Sequence, residues 1–205
     1  KKRLQILKAR LRAIAKNREN LSLLEIGTAD GILLREIRKE SDSFSSSVGI
    51  DIAPEMIEVA RQMTADPAIT YRLRDEFAPS VNSYDVVIEI GVINFTDFIA
   101  DIDFAKNILR SGGYYIVTFA GSSSLVSKLK PENKKDYRHF LSYKVYEKEL
   151  RKHFEIISVI PYGLFVPYLW KFPFIARFKQ PLFEFFWRWF VPNLFHEKMY
   201  VLRKK

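Results

Sequence analysis

Apolar residues recur along this chain in two periods, and the period switches back and forth. Leu4, Leu7, Leu11 and Ile14 fall at three- and four-residue steps and predict an amphipathic helix across Arg3–Ala15. Leu21 to Ile26 is a short apolar run ended by Gly27, the pattern of a buried strand. Gly31–Lys39 returns to helical spacing through Ile32, Leu33, Leu34 and Ile37, and Ser41–Ser47 is a polar loop. Val48–Ile52 predicts a second strand. The helix after it carries Pro54 in its first turn, where a missing N–H leaves no bond unmade, and an apolar face of Met56, Ile57, Val59, Ala60 and Met63.

Ile69–Leu73, Tyr84–Ile90 and Tyr114–Phe119 predict three further strands. Phe98–Leu109 reads as a helix, and Ser111-Gly112-Gly113 as the turn after it. Strands alternating with helices at this spacing predict a mostly parallel, doubly wound α/β sheet, with the loops after the strands along one ligand-binding edge. Beyond Ala120 the texture changes. Ser122–Asp136 is polar, Tyr143–His153 reads as a helix, Phe154–Ile160 as a sixth strand and His196–Arg203 as a final one. The expected organisation is one domain: a basic helix at 1–20, a cofactor-binding core at 21–160, an aromatic helical insertion at 161–195 and the last strand at 196–205.

Composition narrows the chemistry. A chain of 205 residues suits one domain. It has no cysteine, which excludes a disulfide framework, a thiolate metal site and a cysteine nucleophile, and fits a cytoplasmic setting. The longest uncharged run, Ile156–Trp170, falls short of the ~20 residues of a membrane span and contains Pro161 and Pro167. The net charge of +9 is uneven, because Lys1, Lys2, Arg3, Lys8, Arg10, Arg12, Lys16 and Arg18 precede the first acid, Glu19. Such an arm suits an anionic lipid, a nucleic acid or an acidic substrate.

The most informative segment is Leu24 to Gly31: a strand, a glycine turn and a helix start, which brings backbone N–H groups up to a ligand. A dinucleotide fingerprint would need glycine where this chain has Ala29 and Ile32. Glu25 and Asp30 flank the turn; they would repel a pyrophosphate but attract an ammonium and a sulfonium, which favours S-adenosyl-L-methionine. Asp51, about 20 residues beyond the turn, is placed to accept ribose hydroxyls. Ile52 or Met56 is placed to pack on an adenine face, and Asp75 to accept its amino group.

These segments resemble the class I adenosylmethionine-dependent methyltransferases. Glu25-Ile26-Gly27-Thr28-Ala29-Asp30-Gly31 resembles the acidic glycine-rich turn of that family, and Val48-Gly49-Ile50-Asp51 its second motif. Arg74-Asp75-Glu76-Phe77 resembles the adenine-contacting loop, Tyr84–Val87 the fourth strand, and Leu109–Tyr114 the turn into the fifth. The resemblance spans Leu21 to Phe119, implies a Rossmann-like seven-stranded sheet, and departs from the family at Ala29, where the middle glycine is expected. It carries the cofactor-binding role onto Glu25, Gly27, Thr28, Ala29, Asp30, Gly31, Asp51, Ile52, Met56, Asp75, Glu76, Phe77 and Glu89.

The acceptor is harder to read, because methyl transfer is largely the positioning of two reactants. Where the family places an Asn/Asp-Pro-Pro-aromatic turn for base amino groups and glutamine amides, this chain has Glu89-Ile90-Gly91-Val92-Ile93-Asn94-Phe95, which argues against those acceptors. The insertion mixes Phe165, Tyr168, Trp170, Phe172, Phe174, Phe178, Phe183, Phe185, Phe186, Trp187, Trp189 and Phe190 with Lys171, Arg177, Lys179 and Arg188. That blend suits a membrane interface or a cover over a lipophilic acceptor and is too apolar for a nucleic-acid face. The expectation is O- or C-methylation of a small lipophilic or lipid-linked acceptor by a protein peripheral to an anionic membrane surface. An RNA or protein methyltransferase and a non-catalytic methyltransferase-like scaffold remain open, as does the oligomeric state. His139, Tyr143 and Glu89 are the candidate bases, and no metal site is evident.

Overall fold

The computed structural model describes residues 2–129, 137–164 and 184–205. Its elements in chain order are α1 (Lys2–Ala15), β1 (Ser22–Ile26), α2 (Ile32–Arg38), β2 (Ser46–Asp51), α3 (Pro54–Gln62), β3 (Ile69–Leu73), β4 (Tyr84–Glu89), α4 (Phe98–Ile108), β5 (Leu109–Ala120), α5 (Leu125–Leu129), α6 (Tyr143–His153), β6 (Phe154–Tyr162) and β7 (Glu197–Lys204). Short 3₁₀ turns cover Arg74–Glu76 and Pro192–Leu194, and residues 184–190 are helical. The seven strands form one sheet in the order β3-β2-β1-β4-β5-β7-β6. All pairings among β1 to β5 are parallel, and β7 runs antiparallel between β5 and β6.

Strand alternation divides the core into two layers. Leu24, Ile26, Val87, Tyr115, Val117 and Phe119 meet Phe98, Ile102 and Ala105 of α4 and Tyr146 and Leu150 of α6. Leu23, Val86, Ile88 and Ile116 project to the other face, under Leu7 and Leu11 of α1, Leu34 and Ile37 of α2 and Ile57 and Ala60 of α3. Both faces are therefore helix-covered, which is why the parallel strands are nearly continuously apolar.

The elements differ from the sequence pattern in three places. The apolar face expected for α3 is narrower: only Ile57 and Ala60 are buried, while Met56, Val59 and Met63 face outward. Residues 110–113, expected as a turn, are drawn into β5 as an irregularity where Tyr84 pairs with Leu109 but Val86 pairs with Tyr114. Gly112 absorbs the extra length at φ 70°. α5 lies inside the stretch expected to be irregular. Of the aromatic insertion, residues 165–183 lie outside the described residues, and with them most of its rings and Lys171, Arg177 and Lys179.

Candidate cofactor site and acceptor cleft

Parallel pairing brings the C-terminal ends of β1, β2 and β4 to one edge, and the chain turns there through Gly27–Gly31. Gly27 and Gly31 sit at φ 73° and 74°, a region closed to most side chains. A β-carbon on Gly27 would collide with Val92, and one on Gly31 with the Tyr71 ring. Ala29, also left-handed at φ 47°, holds the geometry a glycine would take more easily.

Three acids organise this edge. Asp51 ends β2, and its carboxylate accepts the Ala29 N–H at 2.8 Å and the Ala53 N–H at 3.0 Å. One acid thus ties the glycine turn to the next loop, and each oxygen keeps a lone pair for a ligand hydroxyl. Glu25 is buried and accepts the Thr28 hydroxyl at 2.7 Å. Burial pushes its carboxyl up to about 8, the Thr28 bond opposes this, and the negative charges of Asp30 and Asp51 reinforce it. Asp30 accepts the Ile32 N–H at 3.2 Å at the start of α2. Ile52 and Met56 lie beside Asp51, 72% and 40% exposed, an apolar pair left uncovered. This donor set fits adenosylmethionine: acids for an ammonium and a sulfonium, an acceptor pair for a diol, and an apolar shelf for a base.

Asp75 and Glu76 lie exposed in the 3₁₀ turn after β3, and Phe77 is half-buried against the core. The turn is anchored by Arg74, which ion-pairs with the buried Asp101 of α4 and lies 5.1 Å from the Phe104 ring centre. Neither anchor was singled out from the sequence, since an arginine after a strand and an acid inside a helix carry no local signal.

Beside this edge, a cleft of about 220 Å³ is lined by Arg3, Gly91, Asn94, Phe95, Thr118, Ala120, Tyr137 and Glu197. Arg3 donates to Glu197 at 2.8 Å, and the Tyr162 hydroxyl donates to the same carboxylate. Gly91, at φ 80°, donates its N–H to Thr118 Oγ1 at 2.8 Å and packs against the Arg3 guanidinium. Asn94 is buried; its Nδ2 donates to the Ala120 and His139 carbonyls, both at 3.0 Å, and its Oδ1 accepts the Ala120 N–H at 2.9 Å. One side chain thereby joins the loop after β4, the end of β5 and the loop before α6.

The candidate bases are not brought together. Glu89 ends β4 fully buried, accepts the Tyr115 hydroxyl, and is held well above the usual carboxylate range by burial and by Asp101. Strand alternation aims it under α4, away from solvent. Tyr143 is also buried, its hydroxyl donates to the His196 carbonyl at 2.8 Å, and burial pushes it far above the usual phenol range. His139 is half-buried with its ring edge-on to Phe98 at 5.3 Å, and it is not among the cleft-lining side chains.

The basic arm also changes meaning. Lys2 pairs with Glu184, Arg3 with Glu197, Lys8 with Glu36 and Glu40, and Arg12 with Glu40. Together with buried Leu7 and Leu11, these contacts dock α1 on the sheet as part of the body and place Arg3 in the cleft.

Sheet order, glycine turn and strand-end acids together define the class I adenosylmethionine-dependent methyltransferase fold. The chain belongs to the methyltransferase-domain family, whose model matches residues 1–160. Over 133 residues it is 29% identical to the ubiquinone/menaquinone biosynthesis C-methyltransferase UbiE of a Geobacter species, covering 62% of this chain and 54% of that protein. The chain thus spans about half the length of the curated relatives it matches. An adenosylmethionine-dependent methyltransferase of Mesorhizobium loti superposes with a TM-score of 0.69 at 16% identity, covering 96% of each chain. Magnesium protoporphyrin IX methyltransferase of Synechocystis, with bound S-adenosylhomocysteine, superposes at 0.68 and 14% identity over 98% of this chain and 82% of that one. At these identities the superpositions speak for the fold.

Proposed function

We propose that this protein transfers a methyl group from S-adenosylmethionine to carbon in a small lipophilic acceptor, working at an anionic membrane surface. The observation that carries the cofactor is the convergence of Glu25, the Gly27–Gly31 turn and Asp51 on one sheet edge, with Ile52 and Met56 exposed beside them. The similarity to the Geobacter C-methyltransferase supports carbon as the attacked atom and a small molecule as the acceptor.

Bound there, the cofactor supplies an electrophilic methyl group on a positively charged sulfur. Glu25 and Asp30 hold its cationic end, Asp51 its ribose, Ile52 and Met56 one face of its adenine, and Asp75 to Phe77 the adenine edge. The cleft fixes the acceptor, which is where most of the rate enhancement arises in a displacement that needs alignment above all. Arg3, paired on one side with Glu197, brings a guanidinium into that cleft beside Phe95 and Tyr137. This combination suits an aromatic or enolic acceptor whose oxygen carries negative charge while the neighbouring carbon is nucleophilic. With the charge already on the acceptor, no side chain has to remove a proton before the methyl moves; the S–CH3 bond breaks to leave a neutral thioether, and the proton on the newly methylated carbon passes to water afterwards.

The test is calorimetric titration of adenosylmethionine and adenosylhomocysteine, followed by transfer of label from methyl-labelled cofactor into a membrane lipid extract. Micromolar binding with label recovered in a carbon-bound methyl group supports the proposal. Label in an O-methyl ether, in RNA or in protein replaces the acceptor class. Binding without transfer to any extract returns the chain to the scaffold alternative.

A further inference from the structure

The helix at 184–190 reads Glu-Phe-Phe-Trp-Arg-Trp-Phe, and its five rings face water. Trp189 and Phe190 are 80% and 78% exposed, Phe185 and Phe186 62% and 56%, and Trp187 45%. Rings of ~200 Å² each, exposed to this extent, leave roughly 600 Å² of aromatic surface uncovered, at the upper end for a single folded chain.

Cations collect at the root of this helix. Lys2 pairs with Glu184, which is itself buried. Arg188 is drawn towards its neutral form by burial and by the charge of Arg10 on α1, and Lys2 in turn by burial and by Arg188. Lys2, Arg188 and Arg10 thus lie close enough to repel one another. The Arg188 Nε is buried and has no hydrogen-bond partner among the described residues. An anion brought to this cluster would relieve that repulsion.

We propose that the 184–190 helix and the adjoining Lys2, Arg10 and Arg188 form a docking surface for an anionic lipid bilayer, with the rings in the headgroup–acyl boundary and the cations on lipid phosphates. Tryptophan and phenylalanine beside arginine match that boundary, where an aromatic body meets apolar chains and a charged neighbour meets phosphate. A second copy of this chain packed symmetrically on the same face would set the cation cluster against itself. The placement has a use. Lys2 and Arg3 are consecutive, one holding the helix through Glu184 and the other lining the acceptor cleft through Glu197, so a docked chain presents its cleft beside the bilayer. The inference rests on the methyltransferase reading for the purpose of docking and not for its existence.

The test is sedimentation of the full chain with vesicles of phosphatidylcholine alone or of equal parts phosphatidylcholine and phosphatidylglycerol, with tryptophan emission read in parallel. The expected result is binding about tenfold tighter to the anionic vesicles, with the emission shifted to the blue. The paired substitution W189S/F190S is expected to weaken binding about tenfold, and R10E/R188E to remove the preference for anionic lipid. No binding to anionic vesicles, binding that both variants retain, or a dimer that W189S/F190S dissolves would overturn the proposal. Adenosylhomocysteine titration of the same preparations separates the two readings. Retained cofactor binding without vesicle binding sinks the docking surface and the membrane setting but leaves methyl transfer standing, whereas vesicle binding without cofactor binding sinks the methyltransferase reading alone.

Discussion

The two halves of this molecule build their sites from opposite materials. The cofactor half, around β1, β2 and β3, relies on residues near one another in the chain: a glycine turn directly after β1, and acids at successive strand ends. The acceptor half, around β5, β6 and β7, relies on distant residues, since Arg3, Gly91, Thr118, Tyr162 and Glu197 meet only because the sheet is ordered β5-β7-β6. The first site tolerates little change because the backbone itself is the ligand-binding surface. The second is made of side chains carried by separate elements, so its specificity can shift without disturbing the fold.

This contrast is sharpest in the variant with the largest expected effect. Gly27→Ala forces a β-carbon into Val92 and an alanine into φ 73°. It should lower adenosylhomocysteine affinity at least 100-fold, roughly 3 kcal/mol, by calorimetry, and cost about 2 kcal/mol of stability by urea unfolding. Arg3→Ala, in the other half, should cut label transfer about tenfold while leaving cofactor affinity within about twofold. A matching fall in cofactor affinity would mean that the halves act as one unit.

Glu25 gives the comparison a pH axis. Its carboxyl, ordinarily near 4.5, is raised to about 8 by burial, so the folded chain holds this proton more tightly than the unfolded one. The stability it contributes is fully present below 4.5 and is lost as pH rises through about 8. A cationic ligand prefers the ionised form, so binding below pH 8 releases a proton and affinity climbs by up to about tenfold per pH unit. Titration of adenosylhomocysteine between pH 6.5 and 8 in buffers of different ionisation enthalpy should show that release, and Glu25→Gln should abolish it. The smallest expected effect is at Ala29. Ala29→Gly relieves a left-handed alanine but loosens the unfolded chain, so melting should move by less than about 1 kcal/mol equivalent.

How much the sequence disclosed follows the same division. The Gly27–Gly31 turn and Asp51 were legible because strand, turn and helix fall within one short window, and the second acid follows at the next strand end. The burial of Glu89 was there to be read in its own strand: it shares the face of Val87, and that face is covered by α4. Arg3 looked like part of a solvated arm, because nothing local distinguishes a cation that crosses to Glu197 from one that faces water. Asn94 passed unmarked in a segment noted for the prolines it lacks, yet four side-chain hydrogen bonds make it the joint of the acceptor cleft. α5 went unseen because five residues, one of them a serine and three more serines just before, are too few to show a period.

The position of β7 has a consequence for how the protein is made. β6 has no place in the sheet until β7 lies between it and β5, and β7 leaves the ribosome after all six of the other strands of this sheet. Strands β1 to β5 can pair while the later chain is still being translated, so the cofactor edge precedes the acceptor cleft in time. Glu197, the carboxylate that captures Arg3, arrives some 190 residues after its partner. Until then the nascent chain carries the means to hold a methyl donor without a wall to receive an acceptor.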